Sequence, residues 1–203
     1  MDRTTEYHLK TPISAADVRR LKAGDIVYVT GTMFTARDEA HLRALEYYKE
    51  GKKLPVDLSG LVLYHCGPIV RKMDEEWEVV AAGPTTSTRM EPLEQEFMTN
   101  FDVRIVVGKG GMGPKTTEAM KRFGAVYCAF TGGTALLAAK AIRNVQRVEW
   151  LDLGVPEAIW VLDVEDFGPL IVAIDAYGNN LYTDVKKEVE ENREKIYQQI
   201  SVG

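Results

Sequence analysis

Hydrophobic positions recur along this chain with two different spacings, and the change from one spacing to the other marks the predicted elements. Short runs that alternate or stay apolar are typical of strands, whereas apolar residues three and four positions apart are typical of helices. In the first half these patterns predict strands at residues 6–9, 26–29 and 61–65. They also predict a hairpin over residues 69–82 that turns near Asp74.

Two capping-box patterns predict where the first helices begin. Ser14 with Asp17 predicts a short helix that reaches residue 21 and ends at Gly24. Thr35 with Asp38 predicts a second helix that runs to about residue 50.

The second half of the chain alternates between strands and helices. After a loop at 83–90 and a short helix to about residue 100, the pattern predicts strands at 103–107 and 125–130 and helices at 115–123 and 134–142. The alanine- and leucine-rich helix at 134–142 is expected to be well buried. Strands at 158–164 and 170–176, a turn at 178–180 and a charged helix at 184–200 follow. This order predicts a three-layer mixed α/β domain that takes in residues 1–203 as one unit.

Composition and charge narrow the class of protein. Of the 203 residues, 45% are hydrophobic and 27% are charged, and the net charge is -5, which is ordinary for a globular protein and unlike a surface for nucleic acid or anionic membranes. The first residues have no apolar signal-peptide core, and no apolar run is long enough to span a bilayer. Two widely separated cysteines, Cys66 and Cys128, fit a reducing compartment, so we expect a cytoplasmic protein.

The loop after the 103–107 strand carries Gly108, Gly110 and Gly113 in the G-x-G-x-x-G spacing of dinucleotide-binding proteins. That interpretation fails, because no carboxylate stands near residues 128–132, where it would bind a ribose. A Walker loop is excluded as well, since Pro114 follows where a lysine is required. Backbone amides, a helix N-terminus and Lys109 could still bind a small carboxylate here. The alternative is a tight turn with a solvated lysine.

Two further loops carry groups that bind anions. Residues 83–90 combine four hydroxyl side chains with Arg89, and residues 31–38 place Arg37 in the first turn of a predicted helix, where a bound anion would explain the cation. Together Arg37, Arg89 and Lys109 suit a dicarboxylate, and Thr85 and Thr86 suit proton handling. The alternatives are hydroxyls that cap turns and arginines paired with neighbouring carboxylates.

The three histidines suggest no metal site. His8, His41 and His65 share no ligand spacing, and His65 is adjacent to Cys66, which makes joint binding of one ion awkward. We interpret His65 and Cys66 as structural residues and assign His41 no role.

Five stretches together resemble a known family: GTMFTARDEAH (31–41), YHCGP (64–68), AGPTTSTRM (82–90), GKGGM (108–112) and FTGGTALLA (130–138). Their order and spacing resemble the β subunit of class I fumarase and of L(+)-tartrate dehydratase, which corresponds to the C-terminal domain of single-chain class I fumarases. The resemblance extends over residues 9–182. Members often have glycine at the position of Ala36, a mild departure because helix starts tolerate alanine.

The resemblance implies a swivelling β/β/α domain with mixed sheets and the reversible hydration of fumarate to L-malate. It implies a 4Fe-4S cluster held by three cysteines of a partner α subunit, so that this chain acts within a hetero-oligomer and its two cysteines bind no cluster. It further implies that Arg37, Arg89 and Lys109 bind the substrate carboxylates, that Thr85 is the catalytic base and that Thr86 contacts the substrate.

Three other functions stay open at this point. The substrate pair could belong to tartrate dehydratase, because tartrate differs from malate by one hydroxyl. A non-catalytic domain that binds small anions is a second alternative. A nucleotide-binding oxidoreductase is disfavoured by the missing ribose carboxylate.

Overall fold

The computed structural model of the protein describes residues 4–200. The strands in this range are β1 (Glu6–Lys10), β2 (Ile26–Thr35), β3 (Val62–Tyr64), β4 (Ile69–Met73), β5 (Glu76–Ala81), β6 (Ile105–Gly108), β7 (Val126–Ala129), β8 (Ile142–Glu149) and β9 (Ile159–Ile174). The helices are α1 (Ala15–Val18), α2 (Asp38–Lys49), α3 (Glu91–Asn100), α4 (Pro114–Phe123), α5 (Ala135–Ala141) and α6 (Leu181–Ile200). Short 3-10 turns lie at Ser87–Met90 and Leu151–Leu153.

The main sheet is mixed and closes on itself. Its order is β1-β2-β3-β6-β7-β9-β8, with parallel pairing from β1 to β7 and antiparallel pairing on both sides of β9. Strand β9 also pairs with β2, so β2, β3, β6, β7 and β9 form a closed ring. The mixed α/β class predicted from the sequence is confirmed.

Hydrophobic packing occupies both sides of this ring. One cluster gathers strand residues such as Val29, Tyr64 and Trp160, and the β4–β5 hairpin packs against it through Trp77. The other cluster packs α2, α3 and α4 on the opposite face, with Phe97 among its buried residues. The three helices are thereby fixed against the strand ends that carry the loops described below.

Most of the predicted elements are present, and the hairpin over 69–82 with its turn at Asp74 is confirmed. The predicted strands at 158–164 and 170–176 are one strand, β9, because its residues pair with β2 on both sides of Phe167. Strand β8 was missed, since residues 142–149 have many polar side chains and no clear alternation.

The helix predicted to be well buried at 134–142 is in fact largely exposed. Helix α5 buries only Ala138, while Leu136 and Leu137 are 67% and 46% exposed. Composition misled here, because apolar residues filled the whole surface of the helix and the sequence did not show which side faces the sheet.

The two predicted helix caps have opposite outcomes. Ser14 and Asp17 form the capping box at α1, although that helix ends at Val18 and not at residue 21. Thr35 does not cap α2, because it is the last residue of β2 and its hydroxyl accepts a hydrogen bond from the Trp160 amide. No helix in residues 4–200 has both the length and the apolar character needed to cross a membrane.

Candidate active site

The loops that the sequence singled out lie at one edge of the sheet. Strands β2, β3, β6 and β7 are parallel, so their carboxyl ends meet at that edge, the usual place for ligand binding in α/β sheets. Residues 36–38 follow β2, residues 65–68 follow β3, and residues 109–113 follow β6. The 83–90 loop joins them from the hairpin.

Backbone hydrogen bonds join the 83–90 loop to its neighbours. The Thr85 amide donates to the His65 carbonyl at 2.7 Å, and the Lys109 amide donates to the Thr85 carbonyl at 3.3 Å. The Ser87 amide then donates to the Lys109 carbonyl at 2.9 Å. A short parallel bridge between Thr86 and Lys109 therefore places these two predicted site residues side by side.

Arg89 connects this loop to the start of α2. Its Nη2 donates to Asp38 Oδ2 at 2.9 Å and to Thr85 Oγ1 at 3.2 Å. Asp38, predicted to be a cap, therefore acts as an ion-pair partner. Both contacts use the same nitrogen, so the N–H groups of Nε and Nη1 stay available to a ligand. The guanidinium also favours a negative charge on the Thr85 oxygen.

Arg37 is held in place by a carboxylate of its own chain. Its Nε lies 3.1 Å from Glu157 Oε1, and the other oxygen of Glu157 accepts a hydrogen bond from the Glu39 amide. The anion expected at the N-terminus of α2 is thus present as a side chain. Gly67 makes room for this arrangement, since an added Cβ would lie 2.7 Å from Arg37 Nη1.

The expected anion seat at the N-terminus of α4 is likewise filled from within. The Glu91 carboxylate accepts hydrogen bonds from the Gly113 amide at 2.6 Å, the Thr116 amide at 3.2 Å and the Thr116 hydroxyl at 2.7 Å. The prediction that this helix end binds a ligand carboxylate is therefore wrong, because its amides already have an anionic partner. Because Glu91 occupies the N-terminus of α4, Lys109 is the group of this predicted anion site that can bind a ligand.

The predicted site residues differ in how far they are exposed. Thr86, Arg89 and Lys109 are exposed, while Arg37 and Thr85 are partly buried. Within residues 4–200, Lys109 has no acidic side-chain partner. The surface thus presents three cations and two carboxylates, Glu157 and Asp38. A hollow of about 660 Å³ lies elsewhere, between β5 and β8, and contains none of these residues.

Beneath the loops lies a buried group of charged residues that sequence reasoning missed. His41, His65 and Glu94 are fully buried, and Glu94 Oε2 lies 3.0 Å from His65 Nε2 and 3.7 Å from His41 Nε2. The spacing of Glu94 from Met90 and Met98 places it on the apolar face of α3, and this was the available signal. A carboxylate on that face requires buried partners.

The two cysteines do not fit an iron–sulfur cluster. Both are buried, and burial raises the pKa of each thiol to about 12, although the Arg37 charge lowers it in part for Cys66. Cluster ligands are thiolates, and the common iron–sulfur clusters are held by four of them. This chain therefore offers no cluster-binding set among its cysteines.

Comparison with known proteins yields a consistent family. The model of the family described as Fumarase C-terminus matches residues 1–185. The chain is 47% identical over 192 residues to L(+)-tartrate dehydratase subunit beta of Escherichia coli, which covers 95% of this chain and 94% of that relative. It is 44% identical over 180 residues to a Geobacillus stearothermophilus protein with the provisional name fumarate hydratase class I, which covers 88% of this chain and 34% of that relative.

Proposed function

The chain belongs to the Fumarase C-terminus family, and we propose that it is the β subunit of a two-subunit iron–sulfur hydro-lyase that reversibly hydrates fumarate to L-malate. The observation that carries the proposal is the hydrogen-bonded contact between the loops of Thr85, Arg89 and Lys109 at one sheet edge. Cations beside a hydroxyl group suit a small dicarboxylate that must lose or gain a proton. A cytoplasmic location is part of the proposal.

In this proposal Arg37, Arg89 and Lys109 bind the two substrate carboxylates. Arg89 offers the N–H groups of Nε and Nη1 and its positive charge to a carboxylate, and Lys109 adds a charge on an exposed side chain. Arg37 is oriented by Glu157, which fixes its guanidinium before substrate arrives. Thr86 lies beside Lys109 and contacts the bound substrate.

Thr85 is the proposed base. Its hydroxyl would take the proton from the carbon next to the hydroxyl-bearing carbon of malate and return it in the opposite direction. A threonine hydroxyl is a weak base unless its anion is stabilised. The Arg89 Nη2 atom at 3.2 Å supplies a positive charge for that purpose.

The other half of the active site belongs to a partner in this proposal. An α subunit would hold the 4Fe-4S cluster, which supplies a Lewis-acid iron for the substrate hydroxyl when bound. The relatives that match over almost their whole length are named as beta subunits, which supports a separate partner chain. The residues of this chain would bind and orient the dicarboxylate and handle its proton.

L(+)-tartrate is a second candidate substrate. The observation that favours it is the name of the full-length relatives, which are tartrate dehydratase beta subunits. In this proposal the site residues bind two carboxylates and transfer one proton. Both substrates require these same steps, so the residues suit both equally.

The test combines this chain with a cluster-bearing α subunit under anaerobic conditions and measures hydration of fumarate and dehydration of L-malate and L(+)-tartrate. We expect activity with both subunits and none with this chain alone. Malate turnover well above tartrate turnover supports the fumarase assignment, and the reverse ratio supports tartrate dehydratase. Dicarboxylate binding without turnover in the assembled pair would favour the non-catalytic alternative.

Two variants separate the proposed roles. Thr85→Ala should lower kcat by about 10²- to 10⁴-fold with little change in KM, because it removes only the proton-transfer group. Arg89→Ala should raise KM by about 10- to 100-fold, since charged hydrogen bonds contribute roughly 1.5–3 kcal/mol. Thr88→Ala in the same loop and Arg71→Ala on the hairpin are the matched controls. Near-normal turnover of Thr85→Ala would contradict the role of Thr85 as the base and would assign that role to the partner subunit.

A further inference from the structure

The buried group of His41, His65 and Glu94 holds a charge that must be balanced within the protein. All three side chains have no solvent exposure, and the ring Nε2 atoms and both carboxylate oxygens have no hydrogen bond of good geometry. An ionised carboxylate in such a place is strongly destabilising unless an opposite charge lies beside it. The positions of the ring protons decide which residue supplies that charge.

His41 supplies it, according to the partners of its two ring nitrogens. Nδ1 lies 2.8 Å from the Arg37 carbonyl oxygen, which can only accept, so Nδ1 carries a hydrogen. Nε2 faces the Glu94 carboxylate at 3.7 Å. A neutral ring would turn a lone pair towards that anion, and the two would repel. A ring that carries a hydrogen on both nitrogens would instead attract the carboxylate.

The partners of the His65 ring nitrogens indicate a neutral ring. The Tyr127 hydroxyl donates to Ser87 Oγ at 3.0 Å. Ser87 Oγ can then donate to His65 Nδ1 at 2.9 Å, which leaves the ring hydrogen on Nε2, facing Glu94 at 3.0 Å.

The expected ionisation of the two closest groups agrees with this pattern. Burial lowers the pKa of His65, which keeps the ring neutral near pH 7. Burial alone would raise the pKa of Glu94, but the two histidine rings beside its carboxylate, His65 foremost, outweigh burial and bring the pKa to about 2. Asp38 is a further charge that acts on His65.

We propose that His41, His65 and Glu94 form a charge-balanced proton network that positions the substrate loops, with His41 as the cation. The three are positioning residues that act through the loops. The role assigned to the loops rests on the proposed function, whereas the proton pattern does not.

The network contacts the substrate loops close to the strand and helix ends from which they start. The Arg37 carbonyl accepts from both the amide and the Nδ1 of His41, which fixes the first turn of α2. The His65 carbonyl accepts from the Thr85 amide. Gly108 completes the set, because a Cβ there would lie 1.9 Å from Ser87 Oγ and 3.3 Å from His65 Nδ1.

A divalent metal ion is the competing explanation. One ligand atom from each of His41, His65 and Glu94 lies within 4.8 Å of the others, close enough to hold an ion such as zinc. An ion would take the place of the Nε2 proton of His41, so the two explanations predict opposite states of that nitrogen.

The first test reads the ring protons directly in the full chain by NMR with ¹⁵N-labelled histidine, together with a metal analysis of the purified protein. We expect His41 doubly protonated at pH 7 and His65 protonated at Nε2 alone, with exposed His8 as an internal reference. His41→Gln and His65→Gln variants assign the signals. A neutral His41 ring, or one equivalent of bound metal, overturns the proposal.

The second test measures positioning by amide exchange at Thr85 and Lys109. Glu94→Gln keeps the side-chain shape and removes the charge, and we expect both amides to exchange at least about tenfold faster, a factor that corresponds to 1.4 kcal/mol of loop opening. Met98→Ala on the same helix is the control for general loss of core packing, and Glu96→Gln is the control for loss of an exposed charge. Exchange no faster than in Met98→Ala overturns the positioning role.

Two further measurements keep the proposal separable from folding and from the proposed function. If Glu94→Gln does not fold, Ser87→Ala removes the partner of His65 Nδ1 without a charge change, and it should shift the His65 tautomer and speed the same exchange. Unchanged spectra and exchange in that variant would also refute the network. In the assembled enzyme, Glu94→Gln should lower kcat more than Met98→Ala does. An inactive wild-type assembly would contradict the proposed function and leave both tests on the isolated chain valid.

Discussion

Removing the Glu91 carboxylate should destabilise the protein and uncover an anion site. Glu91 accepts three hydrogen bonds at the start of α4, from the Gly113 amide and from the amide and hydroxyl of Thr116. Loss of a helix N-cap costs about 0.5–2 kcal/mol, and the charge of Glu91 places this cap near the upper end. We therefore expect Glu91→Ala to lose about 2 kcal/mol of unfolding free energy. Glu91→Gln, which keeps one acceptor oxygen, should lose about half as much.

Urea denaturation followed by fluorescence measures this loss, and thermal unfolding should show Tm lower by about 4–8 °C for a chain of this size. Sulfate should raise the Tm of Glu91→Ala more than that of the wild type, because the freed amides can bind an anion. Glu96→Ala, an exposed change on the same helix, is the control. A Glu91→Ala protein within about 0.5 kcal/mol of wild type, or one that sulfate stabilises no more, would refute the reasoning.

Three further results are expected. Cys66 and Cys128 should react with a thiol reagent only after denaturation, as measured by absorbance, because both are buried and burial raises their pKa to about 12; rapid labelling of the native protein would contradict this. Gly108→Ala should cost about 1–3 kcal/mol in urea denaturation, since the added methyl overlaps a serine hydroxyl, and an unchanged midpoint would show that the loop yields freely. Leu136→Gln on α5 should change the stability of the isolated chain by less than about 0.5 kcal/mol, because that leucine is 67% exposed; a larger loss would mean that the side chain is buried in solution.

The sequence predicted the elements well where local patterns decide the outcome. The hairpin and the Ser14 cap depend on residues close in sequence, and both are confirmed. Thr35 satisfies the same local rule as Ser14, but it belongs to strand β2. Its hydroxyl accepts a hydrogen bond from the amide of Trp160, a residue far along the chain. The exposed leucines of α5 were unpredictable for the same reason, because the sheet decides which side of a helix is buried.

The candidate site was predicted in its residue types but not in its internal partners. Arg89 and Thr85 were expected together, and they form a hydrogen bond. Glu91 and Glu157, which occupy the two helix ends, gave no signal because their partners lie far away in sequence. A sequence shows that a helix end can bind an anion, whereas only the folded chain shows whether one of its own carboxylates reaches that end first.

The pairing of β2 with β9 has a consequence for how the chain folds. Ile26 of β2 lies beside Ile171 of β9, so the ring closes only after the whole segment between these two residues has left the ribosome. Until then β2 has an open edge that can pair with other nascent chains. Contacts between such distant segments slow folding. We therefore expect refolding slower than that of helical proteins of equal size, with yields that improve on dilution.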